Sequence, residues 1–281
     1  MNILALGPYV GNFEQEILTF RPYVRWLSEV VDHDKVYINT HKNRSFLYRN
    51  FIPEDNVLPI YGNLTREELN QKGYIHDSIT QKDFNMMIRL FKESIVDIEG
   101  CSKRDLELYK LNYTKSVIPQ PLHSKIFEKI SDIPEIEILE EHKGKIVFIP
   151  DMSEKNLDRM KEVYSFLIDF DCIVIGDMNT YFTDDNAILK NIDYTENGWK
   201  YIIKYIMEAS AVVCPLSFWT TICNLQGVPV YSWGNYVAQH KENGIYHFDN
   251  NKSLVFPISD DDRTELIIRM LKYFFKGEGI L

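Results

Sequence analysis

The chain has 281 residues, 45% hydrophobic and 13% aromatic, which is enough apolar material for one large core or two ordinary ones and excludes global disorder. A formal charge of -10 argues against broad electrostatic contact with nucleic acid or an anionic membrane, since both need a cationic face. Four cysteines (Cys101, Cys172, Cys214, Cys223) without CxxC spacing read as buried free thiols of a reducing compartment, not as a disulfide frame or a metal site.

Asn2 to Leu6 reads as a buried strand that runs into Gly7-Pro8. It lacks the basic flank of a signal peptide, and no window reaches the roughly 18 apolar residues of a membrane span, so a soluble cytoplasmic protein without integral membrane association is expected. Residues 13–30 place Phe13, Ile17, Phe20, Val24 and Leu27 on one helical face, with Pro22 marking a kink or a second helix start. A short strand is expected at 35–39, then a loop through Gly62 and helical segments around 65–71, 81–96 and 102–110. Residues 118–144 contain Pro119, Pro121, Pro134, an acid-rich run and Gly144, so the domain boundary is expected near residue 140, giving domains 1–140 and 141–281.

The second half alternates strands and helices: strand 145–149, helix 153–168, strand 171–175, helix 196–208, strand 211–214, helix 218–226, strand 228–232 and a last helix 262–275. Such alternation predicts a doubly wound α/β domain whose ligands bind beyond the carboxyl ends of its strands.

The segment 211–231 carries the strongest functional signal. An apolar strand meets Pro215-Leu216-Ser217, Ser217 caps a short helix, and Gly227 ends it before the next strand. A helix front of this kind presents backbone N–H groups to an anion such as phosphate. The terminus alone stabilises an anion by roughly 0.3–1 kcal/mol, whereas each charge-assisted hydrogen bond contributes about 1.5–3 kcal/mol. Further donors are therefore needed, and Ser217, Trp219, Thr220 and Thr221 stand in the right turn; Ser217 as a plain cap and the threonines as helix filler is the competing interpretation. Gly176-Asp177 and Asn179, after the strand at 171–175, are candidate acceptors for sugar or ribose hydroxyls, or else an Asx-turn.

In the first half, the loop Gly7 to Glu16 supplies Gly11 and Asn12 for close backbone approach, and Glu16 beside the buried face as a candidate general base. His41, with Lys42 and Arg44 nearby, is the alternative base with an anion-binding flank. The histidines show no metal-ligand spacing and no HExxH, Walker, dinucleotide or GxSxG pattern occurs, so neither a metal site nor a tightly held cofactor is expected.

Two such halves resemble the GT-B glycosyltransferase architecture, in particular its heptosyltransferase-like branch. There, a hydroxyl residue opens a helix that ends in Gly-x-Pro before a strand closing on aromatic-Gly; Ser217, Gly227, Val228, Pro229 and Trp233-Gly234 occupy those places here. The start of the chain resembles glycosyltransferase-like proteins with a Gly-x-Phe-Gly-x-Glu-Leu pattern followed by Val-Arg and Leu-Tyr pairs, matched by Gly11, Phe13, Glu16, Ile17, Val24-Arg25 and Leu47-Tyr48. Where that branch has Asp before the hydroxyl residue and His four after it, this chain has Leu216 and Thr221.

The resemblance implies two Rossmann-like α/β domains facing across a cleft, an acceptor-side domain 1–140 and a nucleotide-sugar-binding domain 141–281. It implies metal-independent transfer of a sugar from a nucleotide-sugar donor to a glycan or small-molecule hydroxyl, with Glu16 or His41 taking the proton. A non-catalytic nucleotide- or sugar-binding protein, or a nucleotide-sugar epimerase or hydrolase, are the alternatives.

Overall fold

A computed structural model describes residues 1–11, 13, 16–42, 44–60, 81–109, 128–151, 156–175, 187–189, 196–234, 253–258 and 264–281. The chain divides into two compact units, Met1–Ser131 and Asp132–Leu281. Residues 132–140 belong with the second unit, where Asp132 and Glu135 pair with Lys204 and Lys200.

The first unit holds a four-stranded parallel sheet of β1 (Ile3–Leu6), β2 (Lys35–Thr40), β3 (Val57–Pro59) and β4 (Leu106–Tyr109), in the order β3-β2-β1-β4. Ile3 to Leu6 are fully buried, as the continuous apolar run of a strand covered on both faces requires. The apolar stripe of residues 13–30 resolves into a π-helical turn, Glu16–Phe20, that runs directly into helix α1 (Arg21–Val30), with Pro22 in its first turn. Proline has no amide to donate, and it sits at the π-to-α junction, where the regular ladder of helical hydrogen bonds is already interrupted. Helix α2 (Gln81–Glu99) buries Met87, Ile88, Phe91 and Ile95.

Residues 102–110 depart from the helical expectation. Lys103–Asp105 form one 3-10 turn and Leu106–Tyr109 is strand β4, aligned with Ile3–Leu6 of β1. Leu106 is buried and Glu107 exposed, a two-residue alternation that the pairing with β1 selects over a helix. Strand β3 lies within a stretch expected as loop, and the segment 65–71 lies outside the described residues.

The second unit holds six parallel strands, β5 (Ile146–Phe148), β6 (Cys172–Ile175), β7 (Ala187–Leu189), β8 (Ala211–Pro215), β9 (Val230–Gly234) and β10 (Ser253–Pro257), in the order β10-β9-β8-β5-β6-β7. From β5 the chain winds outward through β6 and β7, then returns to the other side of β5 for β8, β9 and β10. The point where the order reverses lies between β5 and β8.

Among the described residues its α-helices are α3 (Leu157–Leu167), α4 (Glu196–Glu208), α5 (Phe218–Gln226) and α6 (Thr264–Gly277). Strand alternation assigns them to faces. Val213, Tyr231 and Trp233 join the core with Met160, Val163, Leu167, Leu271, Phe274 and Phe275 of α3 and α6. Cys214 and Ser232, one residue out of phase, turn to the opposite face and meet Thr220 of α5. The sheet is thus covered on both faces, the doubly wound arrangement.

Burial raises the thiols of Cys172, Cys214 and Cys223, while Cys101 is partly exposed. A thiolate is the reactive form. Titration of the native protein with an aromatic disulfide is expected to detect one fast thiol, Cys101, with the remaining three reacting only after denaturation; several fast thiols in the native state would contradict this packing.

Candidate functional site

In a parallel sheet every strand delivers its carboxyl end to the same edge, and ligands collect where the strand order reverses. In the second unit that position is the gap between the carboxyl ends of β5 and β8. The chain leaving β8 passes Pro215, Leu216 and Ser217 and enters α5, so the front of this helix stands at the reversal point. On the β5 side the amide of Ile149 donates to the Val213 carbonyl at 2.9 Å, and Asp151 accepts from Asn156 Nδ2 at 2.7 Å.

Local sequence explains the turn. Ser217 is extended, with φ -156° and ψ -178°, and its N–H donates to Thr220 Oγ1 at 3.4 Å, while the Thr220 N–H donates to the Ser217 carbonyl at 3.1 Å. Leu216 N–H is held by the Trp233 carbonyl at 2.8 Å. At the other end Gly227 takes φ 72°, the left-handed conformation in which glycine has no steric penalty, and stops the helix.

Ser217 and Trp219 are half-buried at the helix front, Trp219 beside the Phe218 ring at 5.4 Å. Thr220, expected as a phosphate donor, has another role. It is fully buried, and its hydroxyl bonds to Ser232 at 2.8 Å and lies near the Cys214 thiol at 3.7 Å, so it fastens α5 to the sheet. Thr221 is equally buried, and its hydroxyl has no partner among the described residues. Gly176, Asp177 and Asn179 lie outside the described residues, as does Asn12 in the first unit.

The first unit has its own reversal point between β1 and β4, where the loop 7–11 leaves the sheet. Tyr9 N–H is held by the Asn39 carbonyl at 2.8 Å, and a Cβ at Gly11 would collide with the Tyr9 hydroxyl, which explains glycine at that place. His41, just past the end of β2, is buried with Nε2 3.2 Å from the Gly11 carbonyl. In the tautomer that donates this bond, Nδ1 is the basic nitrogen.

Glu16 does not face solvent as a general base. Its carboxylate is fully buried and engaged three times: Oε2 by Arg44, Oε1 by Thr40 Oγ1 at 2.5 Å and by the Tyr48 hydroxyl at 2.6 Å. Arg44, expected to bind an acceptor or phosphate, is itself fully buried in this pair and stacks over the Phe13 ring at 5.4 Å. The cluster joins the first helical turn, the end of β2 and the turn at 45–48. Burial, followed by the Glu16 charge, drives the Tyr48 phenol well above its ordinary pKa and keeps it a neutral donor.

Arg21 forms a second buried anchor. Nε donates to the Leu47 carbonyl at 2.5 Å, and Nη1 and Nη2 to the carbonyls of Glu128 and Lys129 at 2.7 and 3.0 Å. Burial lowers its pKa to about 10. Together the two arginines fix the turn that carries Leu47 and Tyr48. The sequence signal for both was a charged residue within an apolar helical or turn pattern, but their partners lie 26 to 108 residues away.

No protein-family model matches the chain, and no curated protein matches its sequence. Solved structures do. A glycosyltransferase family 9 protein of Veillonella parvula superposes with a TM-score of 0.52 at 10% identity, covering 98% of this chain and 97% of that one. The chain has a GT-B-type fold. The heptosyltransferase WaaC of E. coli, solved with ADP, gives the same TM-score at 10% identity over 99% of this chain and 100% of its own. At that identity the likeness is one of fold, and it extends through both Rossmann-like units. Among the described residues, no group of three or more His, Cys, Asp or Glu side chains is arranged to hold a metal ion, and no helix is long and apolar enough to cross a membrane.

Removing one member of a buried pair leaves the other uncompensated at a cost of about 3–5 kcal/mol. Glu16→Gln and Arg44→Met are each expected to lower unfolding stability by that amount in urea titrations. The double variant Glu16→Gln/Arg44→Met, whose amide oxygen can still accept from Thr40 and Tyr48, should cost less than the two single variants added together; single variants within about 1 kcal/mol of wild type would contradict the anchoring role.

Proposed function

We propose that the protein is a glycosyltransferase that takes a nucleotide-sugar as donor and an acceptor hydroxyl as nucleophile. The observation that carries this reading is the front of α5 at the strand-order reversal of the second unit, in a fold shared end to end with glycosyltransferases. WaaC was solved with ADP, and a nucleoside diphosphate is the anion that a helix front of this kind accommodates.

In this reading the diphosphate meets the first-turn amides of α5 and the Ser217 hydroxyl, with Trp219 at the rim. Amides already oriented by the helix stabilise the charge that develops on the departing diphosphate without reorganising. Asp177 and Asn179 serve the donor's hydroxyls, and Gly176, Gly11 and Asn12 allow backbone approach. Because Glu16 is committed to Arg44, Thr40 and Tyr48, the acceptor proton passes to His41. A positioned base contributes about 10²–10⁴-fold to rate.

A specific observation favours the second reading, a protein that binds nucleotide-sugar without chemistry. Leu216 and Thr221 stand where the related pattern has Asp and His, and Glu16 is engaged in a structural pair.

Thermal-shift screening against nucleotide-diphosphate sugars, followed by donor hydrolysis and transfer assays, tests the proposal. Stabilisation by one donor together with turnover supports the transferase, tight binding without turnover supports the second reading, and no stabilisation by any donor contradicts both. For His41→Gln, donor-induced stabilisation should persist while turnover falls at least about 100-fold; unchanged turnover would remove His41 from the mechanism.

A further inference from the structure

Helix α5 carries four polar side chains behind its cap, and they divide into two groups. Thr220 is bonded to Ser232, and Gln226 also has a partner. Thr221 and Asn224 are different: both are 0% exposed, and Thr221 Oγ1, Asn224 Oδ1 and Asn224 Nδ2 have no hydrogen-bond partner among the described residues.

A helical threonine commonly satisfies its hydroxyl on the carbonyl four residues back. Here that carbonyl belongs to Ser217, it accepts the Thr220 N–H, and the Thr221 hydroxyl does not use it. Asn224 leaves both ends of its amide unmet, and water has no access to either residue in this conformation. Buried polar atoms in native proteins are nearly always paired, so three orphans on one helix call for a missing partner.

Geometry says where that partner comes from. Ser217, Thr221 and Asn224 fall at spacings of four and three, one stripe along the helix, and side chains on a helix lean towards its amino end. The stripe therefore leads from the half-buried cap inward, with both orphaned side chains leaning towards the helix front. Phe218, one turn ahead of Thr221, is half-buried at the helix front beside the Trp219 ring.

We propose that Thr221 and Asn224 form a subsite for the uncharged, hydroxyl-bearing part of the donor, its sugar. This rests on the nucleotide-sugar reading above and refines it: phosphate stays at the helix front, and the sugar hydroxyls go to the interior stripe. Charge decides the division. Residues 218–226 contain no Lys, Arg, Asp or Glu, so nothing on the helix neutralises an anion carried inward, whereas a hydroxyl and an amide together donate to and accept from a vicinal diol.

The test is calorimetric titration of wild type, Thr221→Val and Asn224→Leu with ADP, UDP, ADP-glucose and UDP-glucose, together with melting of each ligand-free protein. Wild type is expected to bind one glucosyl nucleotide at least about tenfold tighter than its parent diphosphate. Both variants should keep the diphosphate affinity within about twofold and lose the preference for the sugar. Without ligand, each should melt about 2–4 °C higher, because an apolar isostere removes an unsatisfied polar group. Retained sugar preference, no preference in wild type, or a fall in melting temperature of the isosteric Thr221→Val would overturn the subsite while leaving diphosphate binding intact. Failure of wild type to bind any of the four would instead remove the parent reading. Thr221→Val carries the test if Asn224→Leu does not fold.

Discussion

Among the described residues every strand pairing in both sheets is parallel, and that constraint sets where the strand-to-helix turns collect. Parallel strands need crossovers, the crossovers bury both faces, and all strand-to-helix turns of a unit collect on one edge. Where the winding changes direction, two neighbouring turns diverge and leave room for a ligand. In the second unit one of those turns is Pro215-Leu216-Ser217, so the position of the helix front follows from topology before any side chain is considered.

The two units stabilise their turns by different means. In the second, neutral contacts suffice: Thr220 and Ser232 bond through hydroxyls beneath α5, with the Cys214 thiol alongside, and the helix is held without a charge in its interior. In the first, a charged cluster does the work, with Glu16 gathering Arg44, Thr40 and Tyr48. A buried ion pair costs desolvation and is not in itself a source of stability, but its geometry admits few alternatives. It fixes the relation of the π-helical turn 16–20 to the end of β2, and His41 lies next to Thr40 in that frame. Motif residues at the start of the chain thus meet in space: Glu16 and Tyr48 share a hydrogen bond, and Phe13 lies under the Arg44 guanidinium.

What the sequence revealed is what local chemistry determines. The run 211–214, the Ser217 cap and the Gly227 stop predicted strand, turn and helix because each acts on its own neighbours, and α5 spans the expected 218–226. Strand β4 was illegible for the opposite reason: Leu106–Tyr109 is four residues long, and its identity is decided by pairing with β1 more than 100 residues away. Glu16 shows the same limit at the site. Its place beside the buried face could be read from spacing, but its engagement depends on Arg44, 28 residues on, which by type alone passed for an anion-binding side chain. Thr220 and Thr221, adjacent and chemically identical, separated only when the helical turn between successive residues set one against Ser232 and left the other without a partner.

The front of α5 is proposed to receive the donor's diphosphate, and a crystal structure of the full chain grown with a nucleoside diphosphate tests this directly. Phosphate oxygens are expected within hydrogen-bond distance of the first-turn amides of α5 and of the Ser217 hydroxyl. Phosphates bound elsewhere, with none near the first-turn amides of α5, would contradict it.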